Sequence, residues 1–288
     1  MDEKQQALRS LAGLSVGDAF GEVFFRLPAS LIAKRELPPG PWPWTDDTQM
    51  ALSIVEVLFF HGTIDQNHLA RSFADRFYQA PWRGYGGGAR RLLARYAKGA
   101  DWRVEAPRLF DDGSYGNGAA MRAAPIGGYF AGDAARAADE ALKSAVVTHA
   151  HPEGQAGAMA VAAAAALTAA PEPAKGLPLL KQVINHLPAS RTRDGIERAA
   201  DIAPDCHQQA ADALGTGQQV AAFDTVPFCL WVVAHHSTDY ETAMWITVAG
   251  LGDRDTTCAI VGGIVALATA VPTDWLARRE PLPTGFYS

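Results

Sequence analysis

Cysteine is scarce in this chain, and its few copies are scattered. Cys206, Cys229 and Cys258 form no CxxC pair, so the sequence carries neither a disulfide framework nor a cysteine zinc site. Reduced thiols in a cytoplasmic setting are the expectation. Positive charge is also short: 25 basic against 31 acidic residues give −6 with histidine neutral. That balance offers no general attraction to nucleic acid or anionic lipid. No apolar run reaches the roughly 20 residues that span a bilayer. The most apolar stretches, 156–170 and 258–271, read as buried helices. The start, Met1 to Gln6, is polar and partly acidic, unlike a signal peptide. Alternating β-branched runs are nearly absent. No repeat of fixed period is visible, and no Gly/Ser or Pro linker divides the 288 residues.

What is present is helical pattern. With 48% hydrophobic and 19% charged residues the chain can bury a large core. Leu8, Leu11, Leu14 and Val16 make a stripe in a helix over 5–20. The segment 37–43 holds four prolines and cannot be helix. Helix resumes after Trp44, with Met50, Ile54, Val57 and Leu58 on one face. Further helices are expected over 67–79, 88–98, 119–129, 134–148, 152–170, 177–187, 205–214, 220–236, 240–249 and 256–269. The expectation is an all-α fold, one compact multi-helix domain over 1–288, with an irregular tail at about 278–288.

The residues able to do chemistry cluster at four loop-to-helix junctions. Trp44-Thr45-Asp46-Asp47-Thr48-Gln49 opens a helix. Asp46 with Gln49 would make a capping box, and acids there gain from the helix dipole. One cap explains one aspartate, not two flanked by threonines. Gly252-Asp253-Arg254-Asp255-Thr256 stands before another apolar helix. Four carboxylates with two threonine hydroxyls are a hard, oxygen-only donor set, suited to Mg²⁺ or Mn²⁺ rather than zinc. Helix capping is the competing reading of each motif alone. The third junction, Gly113-Ser114-Tyr115-Gly116-Asn117-Gly118, can bring backbone N–H groups up to a phosphate or pyrophosphate, or be a plain turn. It lacks the ending of a Walker loop. The fourth is Thr148-His149-Ala150-His151-Pro152-Glu153. Its histidines are two apart, a poor spacing for metal ligation from one helix face, and His149 is expected to hydrogen-bond or stack on a ligand. His235 and His236 read as structural.

Taken in order, Gly-Asp-Ala-Phe-Gly (17–21), Thr-Asp-Asp-Thr-x-Met (45–50), Gly-Asn-Gly-Ala-Ala-Met-Arg-x-x-Pro (116–125), Thr-His (148–149) and Gly-Asp-Arg-Asp-Thr (252–256) resemble the ADP-ribosylglycohydrolase family, from about residue 8 to 270. The resemblance implies an all-α hydrolase with two Mg²⁺ or Mn²⁺ ions in a cleft at helix N-termini. Such an enzyme cleaves the N- or O-glycosidic bond from ADP-ribose to an acceptor. It implies Thr45, Asp46 and Asp47, and Asp253, Asp255 and Thr256, as metal ligands. It implies Gly113, Ser114, Tyr115, Gly116 and Asn117 as the phosphate cradle, and His149 beside the ADP-ribose. Asp46, Asp47 and Asp255, together with Glu22, are the expected catalytic carboxylates. Asp18 is expected to be structural, capping or bracing the metal-site helices.

Two departures from the family pattern stand out. Leu251 replaces the first glycine of the usual Gly-Gly-Asp and could narrow the floor of the site. Where several relatives carry a gating glutamate, this chain has Phe25, with Glu22 nearby as a candidate substitute. The expected substrate is a protein whose arginine carries ADP-ribose. Serine- or nucleic-acid-linked ADP-ribose, or a free derivative, is the alternative. A non-catalytic binding or structural relative is a third reading, which the intact acidic motifs disfavour.

Overall fold

Three glycines four residues apart, Gly13, Gly17 and Gly21, run along one side of the first helix, although each costs about 1 kcal/mol there relative to alanine. The computed structural model, which describes residues 2–283, gives the reason. Among the described residues there are sixteen α-helices and no sheet. They are α1 (Glu3–Val23), α2 (Ala29–Lys34), α3 (Asp46–His61), α4 (Gln66–Gln79), α5 (Gly87–Tyr96), α6 (Trp102–Arg108), α7 (Ala124–Tyr129) and α8 (Ala134–Val146). There follow α9 (Pro152–Thr168), α10 (Gly176–Ile184), α11 (Arg191–Ala199), α12 (His207–Leu214), α13 (Val226–His236), α14 (Tyr240–Ala249), α15 (Arg254–Ala268) and α16 (Thr273–Arg278). Helices α1 and α15 lie against each other so closely that a Cβ on Gly13, Gly17 or Gly21 would overlap the carbonyl oxygens of Gly262, Cys258 and Arg254 in turn. Ser10 Oγ donates to Gly263 O across the same seam at 2.8 Å, and Tyr240 Oη donates to Gly13 O at 2.7 Å.

Around this pair the buried side chains form one continuous cluster. Alanine fills the tightest layer: α9 buries Ala156, Ala158, Ala160 and the run Ala162–Ala166. Aromatic rings close the C-terminal end of α1. Phe20 lies 4.6 Å from Trp275 and 5.0 Å from Trp245, centroid to centroid. Trp42, from the proline-rich segment, packs on Trp275 at 5.6 Å. Among the described residues no helix is long and apolar enough to cross a membrane.

Helix positions largely follow the hydrophobic pattern, and the differences have local causes. The helix expected over 119–129 begins only at Ala124, after a 3₁₀ turn at Asn117–Ala119. Likewise 220–236 becomes a 3₁₀ turn at Ala222–Asp224 followed by α13. Pro125 and Pro227 sit in the first turns of these helices, where a missing N–H costs least. Helices α2, α6, α11 and α16 escaped the pattern because they are short or polar-faced. The expected tail is tied down over its first residues. Trp42 N donates to Arg278 O at 2.6 Å and Glu280 N donates to Trp42 O at 2.8 Å. Arg83 then clamps Glu280 through two contacts of 2.7 Å. Residues 284–288 of that expected tail lie outside the described residues.

The seam yields a stability test. Gly17→Ala should cost on the order of 1–3 kcal/mol, because the methyl group meets backbone that cannot retreat. Gly86→Ala, whose new Cβ meets nothing within 4 Å, should stay within about 0.5 kcal/mol of the parent. Denaturant unfolding that finds the two equally mild would refute the close-packed seam.

Candidate functional site

Asp18 is the residue from which the site is built. It lies on α1 between Gly17 and Gly21, fully buried, and its carboxylate accepts four hydrogen bonds from the start of α3. Thr45 N donates to Oδ2 at 2.9 Å and Thr48 N at 3.1 Å. The hydroxyl of Thr45 donates to Oδ1 at 2.8 Å, and that of Thr48 to Oδ2 at 2.5 Å. Thus α1 supplies the caps that the N-terminus of α3 needs. The capping box expected from Asp46 and Gln49 is not what forms. Thr45 is the N-cap, Asp46 is the first helical residue, and Gln49 Nε2 donates to Arg76 O at 3.2 Å instead. A tertiary carboxylate took the orphan N–H groups, so the two aspartates are not spent on capping.

The α1–α15 seam carries the second acidic motif to the same place. Asp46, Asp47, Asp253, Asp255 and Thr256 line one cleft of about 530 Å³ together with Ser114–Gly118 and His149. Thr45 lies just behind them, its hydroxyl donating to Asp18. The glycine loop is joined to the acids by a side chain: Asn117 Nδ2 donates to Asp253 Oδ2 at 2.7 Å and to Thr225 Oγ1 at 3.1 Å. Within that loop Gly113 holds φ +86, and a Cβ there would stand 2.7 Å from His151 N. Gly116 has φ −60, so close approach rather than backbone handedness favours glycine there. Tyr115 is half exposed at the rim and lies on Phe223 and His151.

The electrostatics of this cleft are unfavourable for bare carboxylates. Burial pushes the Asp46 carboxyl up to about 8, helped by the charges of Asp18 and Asp253. Burial, then Asp18, Asp255, Asp46 and Asp253, raise Asp47 well above the ordinary range. Burial and Asp253 do the same to Asp255. Asp47 Oδ1 is buried without a hydrogen-bond partner. Among the described residues no group of three or more His, Cys, Asp and Glu side chains is arranged to hold a metal ion as it stands. The donor set nevertheless fits hard divalent cations. It is all oxygen, drawn from two helix N-termini, and the mutual repulsion of its members is what a cation relieves.

Other expected residues fall elsewhere. Glu22 is half-buried, faces Arg26 at 3.7 Å, and is not among the residues that line the cleft. Leu251 does not narrow the floor. It is 41% exposed at φ +61, outside the cleft, because the turn before Gly252 swings it to solvent. His151 caps α9 by accepting from Glu153 N at 3.1 Å. Glu153 in turn accepts from Thr192 N and Thr192 Oγ1 at the start of α11. The sequence reading missed the opposite wall, formed by Gly84, Gly86, Gly87, Gly88, Leu92, Leu109 and Phe110. The glycine tract 84–88 was its visible signal. A second cavity of about 540 Å³ between α3 and α4 is lined mainly by polar side chains and contains none of the motif residues.

The comparisons with known proteins agree with this architecture. The family model for ADP-ribosylglycohydrolase matches residues 1–284. The ADP-ribosyl-(dinitrogen reductase) glycohydrolase of Rhodospirillum rubrum is 28% identical, over 96% of this chain and 90% of that protein. Human ADP-ribosylhydrolase ARH3 is 26% identical, over 94% and 88%. A solved structure titled ADP-ribosylglycohydrolase-related protein complex superposes with a TM-score of 0.68 at 25% identity, covering 97% of this chain and 93% of that one. With the motifs in family order and the match running through nearly every helix, the chain belongs to the ADP-ribosylglycohydrolase family and is a hydrolase of that family.

Proposed function

We propose that the protein removes ADP-ribose from modified arginine side chains of proteins, with two Mg²⁺ or Mn²⁺ ions held in the acidic cleft. The carrying observation is that four carboxylates from two helix N-termini line the same cleft as the glycine loop, tied to it by the Asn117–Asp253 bond. Asp46, Asp47, Asp253 and Asp255, with the hydroxyls of Thr45 and Thr256, would hold the cations. Bound there, such ions supply Lewis acidity and lower the pKa of water. A tight, fully occupied core and free cysteines support reading the chain as one domain working in the cytoplasm.

The residues themselves divide the remaining work. The cleft-facing part of the loop, Ser114–Gly118, receives the diphosphate, which supplies binding energy remote from the reacting bond. Asn117 N is already committed to Val220 O at 3.1 Å and Gly116 N to Ser114 Oγ at 3.2 Å, which shape the loop. Asn117 fixes one oxygen of Asp253. Water attacks the anomeric carbon of the distal ribose as its bond to the arginine nitrogen breaks, and one of Asp46, Asp47 or Asp255 takes the proton from that water. The carboxylic acid so formed returns that proton to the departing nitrogen as the guanidine leaves. An oxocarbenium-like transition state is positive, and the cleft carboxylates stabilise it. The chain's net charge of −6 suits a cationic guanidinium acceptor better than a neutral serine. Glu22 pairs with Arg26 outside the cleft lining; on the arginine reading its carboxylate would exchange Arg26 for the substrate guanidinium.

The metal site, the loop and the acceptor are each tested. Mg²⁺ or Mn²⁺ should raise the melting temperature of chelated protein and restore its turnover. Asp255→Ala should lose the metal-induced shift and most of the rate while keeping the helical circular dichroism. Turnover by protein shown to be metal-free would refute the metal reading. If Asp255 only capped a helix, the substitution would cost about 0.5–2 kcal/mol of stability and spare the rate. Gly116→Val should weaken binding of free ADP-ribose in calorimetry, because a Cβ there already stands 3.2 Å from Ser114 Oγ and 3.3 Å from His149 Nε2. Unchanged affinity would remove the loop from the site. On a panel of arginine-, serine- and nucleic-acid-linked substrates, arginine should be processed fastest, and Glu22→Gln should slow that reaction more than it weakens free ADP-ribose. Equal or faster release from serine would overturn the acceptor assignment and leave the family assignment intact.

A further inference from the structure

Arg122 is a fully buried cation whose hydrogen bonds all go to neutral acceptors. Nη1 donates to Gly118 O at 3.1 Å and lies 3.7 Å from Met50 Sδ. Nη2 donates to Ser144 O at 3.1 Å and to Thr148 Oγ1 at 2.9 Å. The guanidinium stands over the ring of Phe73, 4.4 Å from its centroid. One side chain therefore joins the end of the glycine loop, the last turn of α8 and the residue before His149. Burying a charge at such expense needs a reason, and the next bond in the chain gives one. Thr148 Oγ1 lies 2.8 Å from His149 Nδ1.

The proton positions follow from elimination. A guanidinium has donors only, so Thr148 Oγ1 accepts from Arg122. The Thr148 hydroxyl must then place its own proton, and at 1% exposure water cannot take it. His149 Nδ1 is the remaining partner within reach. Were Nδ1 the protonated nitrogen, the threonine proton would be buried without an acceptor, which folded proteins avoid. The other edge of the ring faces the loop. A Cβ on Gly116 would stand 3.3 Å from Nε2, and one on Gly118 would stand 3.1 Å from it.

We propose that Arg122 and Thr148 are positioning residues that hold His149 in the tautomer with its proton on Nε2, so that the ring is a fixed donor to the anionic group seated on the Gly113–Asn117 loop. The identity of that group as the ADP-ribose diphosphate rests on the function proposed above; the tautomer does not. Burial and the Arg122 charge also lower the imidazole pKa to about 3. In the ligand-free protein His149 is thus neutral over the range in which ordinary histidines titrate.

The test is ¹⁵N nuclear magnetic resonance of histidine-labelled protein, in which two-bond ¹H–¹⁵N correlations report which ring nitrogen is protonated. His149→Gln identifies the signal. In the ligand-free wild type, His149 should be protonated on Nε2 and should not titrate. Thr148→Val should mix the tautomers and weaken free ADP-ribose roughly tenfold, the effect of misaligning one hydrogen bond to a charged acceptor. Thr148→Ser should restore both. A wild-type His149 protonated on Nδ1 overturns the proposal, and so does a Thr148→Val protein with unchanged tautomer and affinity. If the valine variant fails to fold, the wild-type spectrum decides alone. If the wild type shows the Nε2 tautomer but binds no ADP-ribose, the relay stands and the ligand assignment falls.

Discussion

One carboxylate, that of Asp18, joins the two halves of this protein's chemistry. It is buried on α1, where the glycine seam leaves room for little else, and it accepts the N–H and O–H groups that open α3. Four hydrogen bonds would ordinarily hold a carboxylate in its charged form. Burial outweighs them and lifts Asp18 to about 6. The hydrogen bonds to Thr45 and Thr48 fix the position of α3 on α1. The close α1–α15 contact fixes α15 on the same helix, so a single helix sets the distance between the acidic motifs.

The geometry then creates an electrostatic problem that the protein does not solve by itself. Asp46 and Asp47 gain from the α3 dipole, and Asp255 from that of α15. Those gains are smaller than the repulsion and desolvation that raise all three carboxyls. Asn117 relieves only one oxygen of Asp253. Natural proteins keep unfavourable polar clusters where function requires them. The carboxylate repulsion is concentrated in the cleft, and its chemistry favours a hard cation.

The sequence carried much of this, for physical reasons that can be named. Helices α4 and α8 carry a one-sided apolar face and α3 a stripe of Met50, Ile54, Val57 and Leu58, whereas α9 and α15 were legible as continuous apolar runs that are buried on all sides. The acidic motifs were visible because two aspartates beside threonines exceed what a cap requires. What the sequence concealed was tertiary. That Asp18 caps a helix start 27 residues away came from the family resemblance alone, since no local pattern points to it, and the pattern 45–49 favoured the wrong cap. Arg122 stood in the 116–125 motif, but no local pattern marked it as a buried cation. Leu251 was expected to intrude on the site, but a left-handed turn directs it to solvent. Glu22 shares a helix with Asp18, and four residues of helical turn are enough to put it against Arg26 rather than among the cleft-lining residues.

The central claim is that the two acidic motifs form one cation site because α1 holds them together. A double-mutant cycle on Asp46→Asn and Asp253→Asn, read as Mn²⁺ affinity by calorimetry, tests it most directly. The two residues come from different helices, and Asp253 already raises Asp46 in the ion-free protein. A shared site predicts strong non-additivity, with the second substitution costing much less affinity once the first is made. Additive losses would mean that the motifs act independently, and would contradict the account.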